Sequence, residues 1–219
     1  MTLMQKERQE IVEHLKMLIT HGLTKGTGGN ISIYDPEAGL MAISPSGMDY
    51  FTLTPEDVVV MDLHGNVVEG KRKPSSEHEM HSIFYRERPE IRSVVHAHSI
   101  YSCVLASLNW GIEPCTYLIG SAGKNVRCTK YETFGTAELA KSALEGMKDR
   151  YAVLLGNHGL LAGGADLPSA FDTAEEIEFC AEIYYKCKLA GEPVLLSEEQ
   201  MDVVLKKFET YGVQPEVDE

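Results

Sequence analysis

Apolar residues recur along the 219-residue chain at spacings that predict where helices lie. Between residues 4 and 20 they stand three to four positions apart, as in an amphipathic helix, and Gly22 follows as a C-terminal cap. Capping-box patterns at Ser76 and Ser197 predict two more helix starts, the first for a helix over 77–86. The same helical spacing predicts three further helices, over 99–108, 136–147 and 168–189.

Shorter apolar segments, separated by turn residues, predict strands. The segments at 58–63 and 67–69 flank His64-Gly65-Asn66, which is typical of a hairpin. Because the first segments are joined by short turns and not by helices, we expect an α/β fold whose sheet is largely antiparallel, with helices covering both faces. The other predicted strands and short segments lie at 30–34, 40–44, 91–97, 115–119, 126–129 and 151–155.

Composition and charge narrow the classes of function. A hydrophobic fraction of 43% and a charged fraction of 24% are ordinary for a globular protein, and the length fits a single domain over 1–219 with a flexible tail from about residue 212. Neither a long apolar run nor a signal-peptide pattern is found, so we expect a cytoplasmic protein without membrane contact. The net charge of −13 argues against nucleic acid as a partner. It leaves small phosphates possible, because local N–H donors outweigh a distant, screened field.

Three histidines follow or end predicted strands. His96 and His98 stand two positions apart, so in a strand both imidazoles face the same side and can reach one metal ion. His158 follows the next apolar strand in a tight turn, and three imidazoles with an open position are typical of a catalytic zinc site. A His-x-His pair alone is weak evidence, and a turn histidine bonded to the backbone remains the alternative for His158.

Three segments carry the residue types that bind anions. The stretch "TKGTGGNIS" at 24–32 lacks the Gly-Lys-Ser/Thr of a Walker loop and leads into a strand, so it is either a nest of N–H donors or a flexible turn. "SPSG" at 44–47 and "PSSE" at 74–77 add hydroxyls and a helix N-terminus, which favours anions. Together with the histidines, they predict a phosphorylated substrate held against a metal.

Glu77 and its neighbours offer two readings. Ser76 can cap the helix, Ser75 and Ser76 can donate to a phosphate, and Glu77 beside a metal is a candidate general base. His78 and His81 stand three positions apart on one helix face and are rival metal ligands, although surface histidines are the commoner case. We expect Glu77 and His81 not to share a close face.

The ordered set of motifs "GTGGNIS", "SPSG", "KPSSE", "VVHAHS", "YETFGT", "NHGLLA" and "FETYG" resembles the class II aldolase and adducin-head family, most closely its fuculose-phosphate aldolases. Each motif alone is unspecific, but the order and separations are highly specific. The resemblance implies a three-layer αβα sandwich with a mainly antiparallel central sheet. It also implies a homotetramer with active sites at the subunit interfaces.

The resemblance also implies roles for single residues. His96, His98 and His158 match the family's ligands for zinc, or for another divalent ion such as Mn²⁺ or Co²⁺. Glu77 matches the acid/base glutamate, which can also contact the metal when no substrate is bound. Tyr117 matches a proton donor delivered from a neighbouring subunit, and Tyr211 a second tyrosine that handles the aldehyde. Ser46 stands where the family has threonine, and its hydroxyl keeps the role. The implied phosphate cradle is Thr27, Gly29, Asn30, Ser46, Gly47, Ser75 and Ser76.

The implied reaction is metal-dependent cleavage of a ketose 1-phosphate into dihydroxyacetone phosphate and a small aldehyde. L-Fuculose 1-phosphate is the first expected substrate, and a 5-deoxypentulose 1-phosphate is the competitor. Two enzyme alternatives share the scaffold, namely an L-ribulose-5-phosphate 4-epimerase and a methylthioribulose-1-phosphate dehydratase. An alternative of another class is an adducin-like binding module without a metal.

Overall fold

The computed structural model describes residues 2–212, so the part of the predicted tail beyond residue 212 lies outside the described chain. Short 3-10 turns occur at Pro55–Asp57 and Tyr117–Ser121. The helices are α1 (Gln5–Thr20), α2 (His78–Glu87), α3 (Ile100–Ser107), α4 (Ala137–Gly146), α5 (Leu167–Ala190) and α6 (Glu198–Phe208). The strands are β1 (Asn30–Asp35), β2 (Leu40–Ile43), β3 (Val59–Asp62), β4 (Val67–Glu69), β5 (Ser93–Ala97), β6 (Arg127–Cys128), β7 (Ala152–Leu155) and β8 (Gly159–Gly164).

Within the described chain the strands form one eight-stranded sheet in the order β4-β3-β2-β1-β5-β8-β7-β6. Every neighbouring pair is antiparallel except β6 with β7, which is parallel. Short turns at 36–39 and 63–66 join β1 to β2 and β3 to β4, as an antiparallel sheet allows, whereas a longer segment with the first 3-10 turn joins β2 to β3. The prediction of a mainly antiparallel sheet is therefore confirmed.

Helices cover both faces of this sheet, because successive strand residues point to opposite sides. In β2, Met41 and Ile43 face one apolar cluster and Ala42, between them, faces the other. The first cluster is closed by α2 and α4, and the second by α1, α3 and α5. The predicted three-layer αβα sandwich is confirmed. No helix in the segment from residue 2 to residue 212 is both long and apolar enough to cross a membrane.

At the centre of the sheet, the end of one strand meets the start of another. β1 lies beside β5, with Asn30 opposite His96, and β5 lies beside β8, with Ala97 opposite Leu160. The end of β5 therefore meets the start of β8, directly after the β7–β8 turn that contains His158. No strand was predicted at β8, because its sequence GLLAGG is half glycine, a residue depleted in strands.

The start of α2 differs from its prediction. The helix begins at His78 with Glu77 as its N-cap residue, and no side chain caps it. The predicted cap by Ser76 is wrong, since Ser75 Oγ accepts the backbone N–H of Glu77 at 3.2 Å and the helix starts one residue later. The capping box at Ser197 is confirmed, with Ser197 Oγ accepting from the backbone N–H of Gln200 at 3.3 Å.

Candidate active site

Three imidazoles converge where β5 ends and the β7–β8 turn begins. His96 lies in β5, His98 directly follows it, and His158 lies in the turn. The Nε2 atom of His96 is 2.9 Å from Nε2 of His98 and 3.2 Å from Nε2 of His158. One ring nitrogen from each histidine lies within 4.8 Å of the others. These three residues are called the imidazole cluster below.

The ring of His96 is oriented by the backbone. Its Nδ1 lies 2.8 Å from the carbonyl oxygen of Leu160, so the proton is on Nδ1, which donates, and the Nε2 lone pair faces the cluster. Burial lowers the pKa of His96 well below its usual value, and the neighbouring His158 and His98 lower it further. The histidine is therefore held neutral, as a metal ligand must be.

The other two rings are also held in the neutral form. Burial lowers the pKa of His98, with a further contribution from His158, while Glu77 opposes the shift. Burial lowers the pKa of His158 against the same opposing carboxylate. Nitrogen lone pairs 2.9 Å apart repel each other unless a proton or a cation lies near them, so the imidazole cluster fits a divalent cation.

Glu77 adds a carboxylate beside the cluster. Its side chain is buried, and Oε2 accepts a hydrogen bond from Asn30 Nδ2 at 2.9 Å. Oε1 is buried without a hydrogen-bond partner among the described residues, and it lies 3.5 Å from His158 Nε2. Oε2 also lies 3.4 Å from His96 Nε2. A buried oxygen without a partner is costly, so it is well suited to face a cation or a substrate proton.

A hollow of about 350 Å³ opens over the cluster. It is lined by Glu77, His98, His158 and Asn157, and by a loop that precedes α4 and presents Tyr131, Glu132 and Phe134. The two aromatic rings of that loop are exposed. No role was predicted for them, although they stand in the motif YETFGT. The sequence feature that could have indicated them is a pair of aromatic residues in a segment without helical or strand periodicity.

The glycine-rich loop between α1 and β1 packs directly against two of the histidines. Gly29 has φ +79°, and a Cβ there would lie 2.5 Å from the carbonyl oxygen of His96. A Cβ on Gly28 would lie 2.8 Å from His98 Nδ1. Only glycine lets the backbone approach this closely in that conformation. The loop is therefore a fitted wall of the site.

The three segments predicted to bind phosphate lie side by side. The backbone N–H of Ser46 donates to Lys73 O at 2.9 Å, and that of Ser75 donates to Ser44 O at 3.0 Å. The Tyr50 hydroxyl lies 2.9 and 2.8 Å from the carbonyl oxygens of Gly28 and Gly29, and so ties in the glycine-rich loop. Of the predicted phosphate contacts, Thr27, Ser46, Gly47 and Ser76 are exposed, Gly29 is half-buried, and Ser75 and Asn30 are buried.

Tyr117 and Tyr211 are brought together, but not at the imidazole cluster. Both line a separate hollow beside Phe208, and both are exposed. The catalytic contact predicted for Tyr117 would therefore need a second copy of the chain. For both tyrosines the catalytic role stays a prediction.

The rival ligand pair of His78 and His81 is not present in this structure. His81 is fully buried, its Nδ1 lies 2.6 Å from Ser32 Oγ, and its Nε2 lies 2.5 Å from Asn30 Oδ1. Both nitrogens are thus occupied. The expectation that Glu77 and His81 share no face is also wrong, because residues four apart are neighbours at a helix start. Both side chains contact Asn30.

Glu178, for which no role was predicted, fixes the chain just after His98. Its carboxylate accepts from Ser99 Oγ at 2.6 Å and from the backbone N–H groups of Tyr101 and Ser102 at 2.7 and 2.9 Å. A carboxylate at a helix N-terminus satisfies unpaired N–H groups and the helix dipole. Glu178 on α5 therefore anchors the start of α3 beside the site.

Comparison with known proteins gives one consistent result. Residues 9–185 match the model of the class II aldolase and adducin N-terminal domain. The chain is 59% identical to the 5-deoxy-D-ribulose 1-phosphate aldolase of Bacillus thuringiensis serovar kurstaki, over 97% of this chain and 100% of that protein. It is 38% identical to the L-fuculose phosphate aldolase of Escherichia coli K12, over 96% and 98%.

A solved structure agrees with these relatives. A protein described as L-fuculose 1-phosphate aldolase superposes with a TM-score of 0.92 at 50% identity, over 93% of this chain and 96% of that one. The chain therefore belongs to the class II aldolase and adducin family and, within it, to the aldolases, which are lyases.

Proposed function

We propose that this aldolase cleaves a ketose 1-phosphate into dihydroxyacetone phosphate and a small aldehyde, using a divalent cation, most simply Zn²⁺. The observation that carries the proposal is the imidazole cluster beside a buried carboxylate with one unpartnered oxygen. His96, His98 and His158 would hold the cation, with Glu77 able to touch it while substrate is absent. When bound there, the cation supplies the Lewis acidity that makes the C–H next to the ketone acidic.

Glu77 is proposed as the general base and acid. In cleavage, the substrate hydroxyl on C4 loses its proton, the C3–C4 bond breaks, and Glu77 returns a proton to C3. In synthesis, Glu77 removes that proton from C3 of dihydroxyacetone phosphate. Its buried Oε1 is the oxygen available for the transfer, because Oε2 is bonded to Asn30.

The phosphate is proposed to bind where the three fitted segments meet. Exposed Thr27, Ser46 and Ser76 offer hydroxyls, and the backbone at Gly29 and Gly47 offers N–H groups. Ser75 is buried and its Oγ accepts from Glu77, so its hydroxyl proton remains available to a phosphate. Held in this way, the phosphate places the reacting carbon beside Glu77.

For the substrate, we infer 5-deoxy-D-ribulose 1-phosphate, which would release acetaldehyde. The support is the 59% identity to a relative with that name, against 38% to a fuculose phosphate aldolase. L-Fuculose 1-phosphate, which would release lactaldehyde, is the second candidate, supported by the solved structure that is 50% identical. The relatives' names thus reverse the order of preference expected from the motifs alone.

Assembly completes the proposal. Tyr117 and Tyr211 are exposed and line a hollow apart from the imidazole cluster, which supports a homotetramer that delivers them between subunits. Tyr117 would exchange a proton with the aldehyde oxygen, and Tyr211 would contact the aldehyde. We further propose a single domain and a cytoplasmic location.

A substrate panel tests the proposal. Purified protein is assayed with 5-deoxy-D-ribulose 1-phosphate, L-fuculose 1-phosphate and L-ribulose 5-phosphate, before and after exhaustive chelation and after Zn²⁺ is restored. We expect aldehyde and dihydroxyacetone phosphate from the first two, the higher kcat/KM with the first, and loss of turnover on chelation that Zn²⁺ reverses. Epimerisation without aldehyde release, or full cleavage after chelation, would contradict the proposal.

A further inference from the structure

We propose that Asn30 and His81 are positioning residues that orient Glu77 for proton transfer, and that the Asn30 side chain serves this purpose instead of binding phosphate. The proposal rests on the proposed function only for the identity of the proton that Glu77 moves. The geometry that carries it is a line of buried hydrogen bonds that ends at one oxygen of Glu77. We call it the Asn30 relay, and its members are Tyr85, Ser32, His81, Asn30 and Glu77.

The contacts of the Asn30 relay are short and continuous. The Tyr85 hydroxyl lies 2.5 Å from Ser32 Oγ, which lies 2.6 Å from His81 Nδ1. His81 Nε2 lies 2.5 Å from Asn30 Oδ1, and Asn30 Nδ2 lies 2.9 Å from Glu77 Oε2. All five residues are buried. The relay therefore runs from the α2–sheet interface to the edge of the imidazole cluster without reaching solvent.

One arrangement of protons satisfies Glu77, Asn30, His81 and Ser32 together. The Glu77 carboxylate accepts, so Asn30 must present its NH₂ to Glu77 and its carbonyl oxygen to His81. His81 must then carry its proton on Nε2 and accept at Nδ1 from the Ser32 hydroxyl. The Tyr85 hydroxyl then donates to Ser32, where Oγ and the carbonyl oxygen lie 2.5 and 3.1 Å from it. Because each step fixes the next, the Asn30 amide sets the tautomer of His81, 51 residues away in sequence, and the His81 Nε2–H in turn holds the amide in place.

The Asn30 amide has no end directed to a phosphate. Its oxygen and its nitrogen are both used within the relay, and the side chain is buried. Its backbone lies in β1, opposite His96 in β5. The phosphate contacts predicted from neighbouring residues do not need this side chain, since Thr27, Ser46 and Ser76 are exposed.

The consequence for Glu77 is an asymmetric carboxylate. Oε2 is anchored by Asn30, while Oε1 stays buried without a partner among residues 2–212. Anchoring one oxygen fixes the side-chain rotamer and leaves the lone pairs of the other free for a proton. Losing an outer contact of this kind typically costs about 10- to 100-fold in activity.

Variants of the relay provide the first test. We expect Asn30→Asp and His81→Leu to lower kcat about 10- to 100-fold, with KM and bound Zn²⁺ within twofold of wild type. His81→Gln, which keeps an N–H donor near Asn30, should recover most of the lost kcat. His78→Gln is the matched control, because His78 lies on the same helix outside the relay. The variants should rank in the same order by their rates of deuterium exchange at C3 of dihydroxyacetone phosphate. This exchange is measured without aldehyde and therefore isolates the proton transfer.

A phosphate role for Asn30 makes a different prediction. In that case Asn30→Asp would raise the inhibition constant of inorganic phosphate more than tenfold while kcat stayed near wild type. That result overturns the proposal. So does an exchange rate in His81→Leu equal to that of wild type.

Nitrogen NMR of the wild type and of two variants tests the relay without depending on catalytic activity. The ¹⁵N shifts of the His81 ring should report a proton on Nε2 and a lone pair on Nδ1, and Asn30→Asp should change them while His78→Gln does not. A proton on Nδ1 of His81 overturns the relay. If wild type neither cleaves nor exchanges, the proposed function fails, but this readout still decides whether the relay exists.

Discussion

Two fully buried histidines, His81 and His96, share a residue type and a burial but differ in how their nitrogens are used. His81 has a partner for each nitrogen, Ser32 on one side and Asn30 on the other. His96 has a partner for Nδ1 only, the carbonyl of Leu160, and its Nε2 faces two more imidazoles. The number of satisfied nitrogens, and not burial, separates a histidine that orients its neighbours from one that can hold a metal.

The tautomers of the two rings are opposite for the same reason. The Leu160 carbonyl requires the proton of His96 on Nδ1, whereas the Asn30 carbonyl requires the proton of His81 on Nε2. Glu77 lies between them, with Oε2 on the Asn30 side and Oε1 near His158. One histidine thus serves the carboxylate through Asn30, and the other stands beside it at the proposed metal site.

Removing His96 should have the largest effect. We expect His96→Ala to lose bound Zn²⁺ and to lower kcat about 10³-fold or more, because a Lewis acid contributes several kcal/mol and about 1.4 kcal/mol corresponds to tenfold. Metal content of the purified protein and steady-state turnover measure the two losses. His81→Gln is the matched comparison and should keep its zinc. If His96→Ala retained zinc at wild-type stoichiometry, His96 would not be a metal ligand, and the contrast with His81 would fail.

Changing the carboxylate between them should have the next largest effect. We expect Glu77→Gln to keep zinc on three imidazoles but to lower kcat about 10²-fold or more, the usual contribution of a general base. The amide can still accept from Asn30, so the relay survives while the basic oxygen is lost. Metal analysis and turnover are measured on one preparation. Undiminished turnover in Glu77→Gln would exclude Glu77 as the base.

Much of the fold and the cluster could be predicted from local sequence patterns. Short turns between the first strands indicated an antiparallel sheet, and the i, i+2 spacing of His96 and His98 placed two rings together. His158 joined them because the turn that holds it leads into β8, the neighbour of β5. That strand itself was not predicted, since half of its residues are glycine, which is depleted in strands.

The Asn30 relay could not be predicted in the same way. It joins β1 to α2 through side chains whose amide and imidazole orientations depend on tertiary packing. Asn30 belongs to a glycine-rich motif that suggested an anion site, and that local pattern does not show which way its amide turns. Tyr131 and Phe134 were missed for a related reason, because a loop has no periodicity to show what it faces.

A pH series should show the smallest effect, and it concerns folding. Burial lowers the pKa of His81 to about 3, with a further contribution from His96, so the folded protein keeps the ring neutral. In the unfolded chain the ring takes up a proton below about pH 6.5. The unfolded state therefore binds more protons in this window, and stability falls as pH decreases from about 6.5 towards 3.

The size of this effect is about 1.4 kcal/mol of unfolding free energy for each pH unit. We expect denaturant unfolding of metal-free protein between pH 6 and pH 4 to show a slope smaller by about that amount in His81→Gln than in wild type. The comparison uses the difference between the two slopes. Carboxylates that titrate in both proteins contribute equally to each slope, and a loss of stability that does not depend on pH contributes to neither. His64, which is exposed and lies outside the Asn30 relay, serves as the control in His64→Gln. Equal slopes in wild type and His81→Gln would mean that His81 accepts a proton in the folded state, which the Nε2–H and Nδ1 contacts of a neutral ring do not allow.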